Sequence, residues 1–458
     1  MEKTAAVTVC LLLLLLLLVF SNSRAAQGEG ASSLSTFLVP PAEATEDSWA
    51  TKAPMPTARA SFGVAVVNGK IYAIGGSNYD SGILDINEEY DPATNTWATK
   101  KPMPNPRCKF GIAVYQNKIY VIGGKNRTEE VTGANEVYDP LTDTWETKTS
   151  MPTIRCSLCA NVVDGKIYLI GGYRGSPPDL ITFNVNEVYD PSTDSWTTKA
   201  QVPTAVFSYA SAVVNNKIYV IGGFDCSLNQ IYDPETDTWS FGASIPTAVH
   251  SAATGATTGV VAPKRIYVLG GTGGLVPISL NQVYDPEGDV WTTGARMPSP
   301  HANYGVAVVN DMLYAIGGRI ALMPLTAENE QYTPIGYGTL PPTISIVSPE
   351  NKTYTVNNVS LNFTVSESTS WIGYSLDGQA NITITGNTTL SGLPDGSHSL
   401  TVYAKDTAGN TGTSETIYFS IEPFPITWIA AAIAVIAIGG AALLVYFRKI
   451  RKTTGEIE

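Results

Sequence analysis

Three histidines and five cysteines in 458 residues leave little material for a metal centre or for acid–base chemistry near neutral pH. Five cysteines are also too few for a disulfide scaffold. Charge is sparse at 15%, and 28 Lys+Arg against 40 Asp+Glu leave a net −12. That balance argues against a nucleic-acid partner, which must be met with a basic face. Apolar residues make up 44%, so global disorder is excluded. What the chain has in quantity is glycine (41) and proline (29) without a collagen period, which is the chemistry of many tight turns in an all-β protein. At roughly 150 residues per domain there is room for about three folding units.

The two ends bear on compartment. Lys3 precedes an apolar run from Ala5 to Phe20 that includes Leu11–Leu18, followed by Ser21–Arg24 and the pair Ala25–Ala26. Ser23 and Ala25 suit the −3 and −1 positions of a cleavage site, so 1–25 reads as a signal peptide. Near the other end, 426–447 carries no charge, with Trp428 and Tyr446 flanking it. As a helix this stretch is ~33 Å long, enough to cross a bilayer. Arg448, Lys449, Arg451 and Lys452 follow and should hold the tail, 448–458, in the cytoplasm. The expectation is a single-pass membrane protein with its bulk outside the cell.

Between these ends one unit recurs six times. Gly-Gly pairs stand at Gly75, Gly123, Gly171, Gly222, Gly270 and Gly317, spaced by 48, 48, 51, 48 and 47 residues. Each follows a short apolar strand with Tyr in second place, from Ile71-Tyr72 to Leu313-Tyr314. Another apolar strand lies before it, joined by a tight turn such as Asn68–Gly69 or Asp164–Gly165, dipeptides suited to type I′ hairpins. After each Gly-Gly comes a variable loop and then Asn-x-x-Tyr, as in Asn87–Tyr90. Five units continue through Asp-Pro to a Trp that opens a fourth strand: Trp97, Trp145, Trp196, Trp239 and Trp291. One unit is therefore a four-stranded antiparallel meander, a propeller blade.

Gly-Gly after the second strand, Tyr in the third and Trp in the fourth resemble the kelch repeat, over 48–334. The sixth unit stops at Tyr332–Pro334 without its Trp, while an orphan strand stands ahead of the first unit, from Ser48-Trp49 to Met55–Pro56. The expected fold is all-β: a six-bladed kelch propeller closed by that N-terminal strand, so that no open sheet edge is left.

Leu340-Pro341-Pro342 marks a break. From 341 to 422 the pattern alternates with period two, as in Leu361, Phe363 and Val365, between turns at Asp377–Gly378, Asp395–Gly396 and Gly409–Asn410. A β-sandwich of about seven strands is expected. The segment Leu393–Ala404 resembles the penultimate strand of immunoglobulin-like modules, with His398 in the place of the usual corner tyrosine and no Cys pair. Glycosylation sequons lie at Asn351, Asn358, Asn362, Asn381 and Asn387, with one more at Asn126 in the repeats. Five in one small module read as a glycan-coated stalk, and that combination resembles archaeal cell-surface proteins.

Candidate binding residues come from the repeat itself. Three residues beyond each strand-ending Pro stand Arg59, Arg107, Arg155, Val206, Val249 and His301. Facing inward at one mouth, the three arginines would clamp a carboxylate or sulfate bidentately, with His301 counted beside them as a binding residue. Alternatively they bond across blades to carbonyls or acids. Arg174 and Arg319 lie in the variable loops, where recognition usually resides. Those loops hold 10, 10, 13, 5, 9 and 10 residues. Cys108, Cys156, Cys159 and Cys226 read either as one disulfide or as small free thiols.

No catalytic set, cofactor or metal site is assigned. The expected function is non-catalytic binding of an extracellular protein or glycan, with no nucleic acid involved. Two alternatives stand beside it. One is a carbohydrate-active enzyme resembling galactose oxidase, with His250, His301 and Tyr304 about copper, or resembling the kelch-based sialic-acid epimerases. The other is a purely architectural envelope component.

Overall fold

The computed structural model describes residues 45–321, 324–422 and 426–454. The proposed signal peptide, 1–25, lies outside them. Six four-stranded antiparallel sheets occupy the repeat region. Blade 1 runs outward through Gly63–Val67, Lys70–Ile74, Asn87–Asp91 and Thr96–Lys100. Blades 2 to 5 repeat that order up to Val290–Thr293. The inner hairpins turn where both central residues take positive φ, 50° and 73° at Asn68–Gly69 and 48° and 59° at Gln116–Asn117.

Blade 6 takes three strands from the end of the region, Gly305–Val309, Met312–Ile316 and Asn329–Thr333, and its outer strand, Ser48–Thr51, from the beginning. Trp49 sits opposite Tyr332 in that ladder. The inner strands touch in cyclic order, blade 1 against blade 2 and so on to blade 6 against blade 1.

Side-chain bonds fasten each blade to its neighbour in the same way. The Tyr of the third strand donates to the Oδ1 of an Asx in the following turn, as Tyr138 does to Asp143 at 2.6 Å, and that oxygen also accepts Lys101 N–H at 2.9 Å. The outer-strand Trp donates to the carbonyl of the same neighbouring residue, Trp145 Nε1 to Lys101 O at 3.0 Å. In blade 6 these parts come from distant segments. Tyr332 donates to Asp47 at 2.7 Å, Asp47 accepts Ala295 N–H, and Trp49 Nε1 donates to Ala295 O at 3.0 Å.

The Gly-Gly pair is demanded by another blade-to-blade bond. The second Gly donates to a carbonyl of the next blade, Gly172 to Val206 O at 2.8 Å. The first Gly, at φ 59° for Gly171, lies so close that a Cβ would stand 2.3 Å from that oxygen.

Residues 344–421 form two further sheets, a three-stranded one of Ile344–Ser348, Val359–Val365 and Thr388–Leu390, and a larger one centred on Gly396–Asp406. Leu361, Leu400, Val402, Ala404, Phe419 and Ile421 fill the core between them. His398 bonds the Pro394 carbonyl four residues upstream and the Asp377 carboxylate, each at 2.8 Å. Burial works against charge on this imidazole, but those two partners raise its pKa. The linker bonds both modules: Gly338 donates to Val261 O, and Asn410 Nδ2 donates to Gly338 O.

One helix follows, Ile426–Thr454. Its side chains are described over 435–449, where every residue is exposed. Within the stretches whose side chains are described, here 435–449, no helix is long and apolar enough to cross a membrane.

Candidate functional site

The mouth of the ring is organised by one backbone position per blade. Ser61, Lys109, Ser157, Ser208, Ser251 and Asn303 each stand two residues before an inner strand, and all have φ between 53° and 57°. Lys109 N–H donates to Ser61 O, Ser157 to Lys109, Ser208 to Ser157, Ser251 to Ser208, Asn303 to Ser251, and Ser61 to Asn303, at 2.7–3.0 Å. The circuit returns to its start. A left-handed conformation costs a residue with a Cβ about 1–2 kcal/mol, so the repeated hydrogen bond holds all six in a rigid rim.

The arginines expected at this rim are elsewhere. Arg59, Arg107 and Arg155 are 0% exposed. Arg107 donates to Glu136 at 2.6 Å and to the carbonyls of Val121, Gly123 and Ala134 at 2.8–3.1 Å. Arg59 is paired with Glu88 and Arg155 with Glu187, with the carbonyls of Ala73, Gly171 and Leu169 taking further donors, while Nε of Arg59 and of Arg107 is buried without a partner among the described residues. A guanidinium wholly buried against a carboxylate and carbonyls has no face for a ligand, and the expected clamp is corrected to an internal pin. Each arginine's counter-ion follows the Asn of Asn-x-x-Tyr. Where the first position is Val206 or Val249, the second is Gln230 or Gln282, whose amide bonds the backbone of Thr204 or Thr247 instead. Reading these two columns together across the six units is the signal that would have revealed the pairing.

His301 is the sixth member of the set and is equally buried. Its Nδ1 meets Gly317 O at 2.8 Å, and its Nε2 meets Ser299 Oγ at 2.9 Å and Glu328 at 3.2 Å. Burial lowers its pKa, against the pull of the Gly317 carbonyl and Glu328. Glu330 lies behind, 3.7 Å from Nε2, with Oε2 buried and without a hydrogen bond among the described residues. Burial, with Glu328 nearby, pushes its carboxyl from 4.5 up to about 7.

A folded-state pKa above the unfolded one means that the folded protein holds an extra proton between those values. Stability therefore falls as pH rises from 4.5 through 7. At pH 8 the penalty reaches about 3 kcal/mol. Glu330→Gln should raise the denaturation midpoint at pH 8 and shift it far less at pH 5, where most of the penalty has not yet developed. Equal shifts at both pH values would refute the assignment.

The copper grouping is not assembled: His301 and Tyr304 are buried against one another, whereas His250 packs on Phe224. All four described thiols are free. Burial pushes Cys108 up to about 11 and Cys159 to about 12, so both stay protonated at neutral pH.

The surface of the mouth is formed by residues directly after each Gly-Gly: Ser77, Lys125, Tyr173, Phe224, Thr272 and Arg319. Bridges such as Cys108 to Lys125 and Cys156 to Tyr173 place them beside the rim. Over blades 3 to 5 they make an aromatic patch missed by sequence reading. Tyr173, itself buried, holds Phe207 edge-on at 5.0 Å. Phe207 stacks on Phe224 at 5.2 Å and 15°, and Phe224 meets His250 at 5.3 Å. Phe224 is 56% exposed.

Lys109 Nζ lies 3.5 Å from the Tyr173 hydroxyl, and no described carboxylate pairs with it. Arg319 lies over the Tyr79 ring at 5.9 Å. Arg174 is exposed at the base of a two-stranded finger, paired across to Ile181. Of the sequon asparagines, Asn351, Asn358, Asn362, Asn381 and Asn387 are exposed and Asn126 is half-buried.

Comparison with known proteins places this architecture. The Kelch motif model matches residues 58–104 and 254–298, and that of the FKB95 Kelch-repeats domain matches 99–240. Kelch-like protein 35 of Mus musculus is 30% identical over 133 residues, 29% of this chain and 22% of that protein. Halomucin of Haloquadratum walsbyi is 44% identical over 95 residues, which are 19% of this chain and 1% of its own. Kelch-like protein terF of Aspergillus terreus is 27% identical over 159 residues, 31% of this chain and 34% of that one. The chain thus spans about a third or less of these relatives. The solved structure of YjhT, 18% identical, superposes with a TM-score of 0.52 and covers 60% of this chain and 95% of its own, a likeness of fold. Its recurring strands and both motif matches make this chain a kelch-repeat protein folded as a β-propeller.

Proposed function

We propose that the chain is a membrane-anchored propeller displayed outside the cell, where it captures a protein or glycan without chemically altering it. The observation that carries this reading is the mouth. A rim fixed by its own hydrogen-bond circuit presents the exposed Phe224 ring and Lys109, which no described carboxylate pairs, and a surface ordered in advance loses little freedom on binding. The uncharged run 426–447 serves as the anchor. It leaves Val435, Ile436, Ile438, Leu443, Leu444 and Val445 exposed, and side chains of that kind in one continuous run favour a non-aqueous surrounding. The 344–421 module is read as an immunoglobulin-like stalk glycosylated at its exposed sequons, with 1–25 as the export signal.

Expression of the full chain in cells tests this. The protein should resist carbonate extraction from membranes, be biotinylated on intact cells, and shift in mobility after deglycosylation. A form lacking 426–458 should be released to the medium. A chain found only in the soluble interior, or one that turns over a sugar or peptide it binds, would overturn the reading.

A further inference from the structure

We infer that the mouth over blades 3 to 5 binds an anionic glycan, with a pyranose packed on the exposed Phe224 and a carboxylate or sulfate beside Lys109. This rests on reading the propeller as a capture module, and it specifies both the place and the chemistry of the ligand.

Four observations converge there. Blade 4 has the shortest variable loop, five residues against thirteen in blade 3 and nine in blade 5, so it covers the least of this face. The Phe207–Phe224 stack lies there, and Phe224 is 56% exposed. A phenyl face offered to solvent suits the C–H face of a pyranose as it suits any flat apolar surface. The rim beside it carries short polar side chains, Ser157, Ser208, Ser251 and Asn303, all half-exposed. These can donate to and accept from ring hydroxyls. Lys109, at the Tyr173 end of the aromatic row, supplies positive charge in an otherwise acidic molecule.

A peptide is less well served. The rim N–H groups are spent on the closed circuit, so a peptide backbone lacks the donors that usually give strand-like recognition its affinity.

The test titrates the intact protein with polygalacturonate oligomers, heparin oligosaccharides, neutral cello-oligosaccharides and poly-glutamate. Phe224→Ala and Lys109→Gln are run alongside, with thermal melting to show that each remains folded. One or both anionic glycans should bind, carboxylated and sulfated arms identifying the group preferred. Phe224→Ala should weaken binding about tenfold or more. Lys109→Gln should weaken it and reduce its salt dependence. Binding of neither anionic glycan, equal binding by folded Phe224→Ala, or poly-glutamate binding with the same Phe224 dependence would each overturn the inference. If the chain is displayed and anchored yet the glycans fail, this inference falls alone. If it is not displayed, the broader reading falls whatever the titrations give.

Discussion

Arg107→Ala should destabilise the propeller by about 3–5 kcal/mol, because it leaves the buried Glu136 carboxylate without its charge partner. The double variant Arg107→Val with Glu136→Gln should recover most of that loss. Two neighbouring blades already use the second solution, since Val206 with Gln230 and Val249 with Gln282 occupy the same sites. In those blades the Gln amide bonds the backbone N–H and carbonyl of Thr204 or Thr247 at 2.8–3.2 Å. The amide introduced by Glu136→Gln would have the equivalent backbone of Asn105 within reach. A neutral pair avoids the desolvation that charged partners suffer on burial, and burial does lower the pKa of Arg107 despite Glu136. Urea denaturation of the wild type, the single variant and the double variant measures this directly. A double variant as unstable as the single one would show that the pin depends on the carbonyl bonds rather than on the charge pair. The same three proteins also separate structure from recognition, because a ligand held at the rim should bind the folded double variant as it binds the wild type.

The contrast between what could and could not be read in the chain follows from the kinds of bond involved. Gly-Gly, Tyr and Trp are legible because each blade reuses them for one purpose: a close approach to a carbonyl, a hydroxyl to an Asx, an indole to a backbone oxygen. The place of Ser48–Thr51 follows from counting, since five units hold four strands and the sixth lacks one. Arg59, Arg107 and Arg155 are as regular as these markers, and regularity alone does not tell a pin from a clamp. The deciding residue lies 29 positions away in blades 1 and 2 and 32 in blade 3, beyond the range of local pattern. Phe207 and Phe224 escaped notice for the opposite reason. Their positions recur in every unit but their aromatic character does not, and they become a patch only because two connections at blade 4 emerge at one end of the ring.

Trp49→Ala with Asp47→Ala should reveal how much depends on the seam in blade 6. Trp49 packs against Tyr332 with the rings tilted by 37° and centroids 4.9 Å apart, and donates to Ala295 O, and Asp47 takes both the Tyr332 hydroxyl and Ala295 N–H. Their joint loss should cost on the order of 3 kcal/mol, by analogy with truncating a large aromatic side chain and orphaning a buried hydroxyl. Trp145→Ala with Asp143→Ala removes the same contacts from blade 2. There the outer strand stays tethered by a short turn to the strand it pairs with. In blade 6 the two strands are joined only through the whole ring, so a weakened seam can open without help from a neighbouring turn. Opening exposes the backbone edge of Asn329–Thr333, a template for pairing with another chain. Hydrogen exchange should therefore show protection falling selectively across 329–333 in the seam variant, together with concentration-dependent oligomers, while 135–139 in the blade 2 variant keeps most of its protection. If both variants lose protection only locally and to the same degree, the seam is no weaker than any other join, and the ring's stability rests on the rim circuit and the Gly-Gly bonds instead.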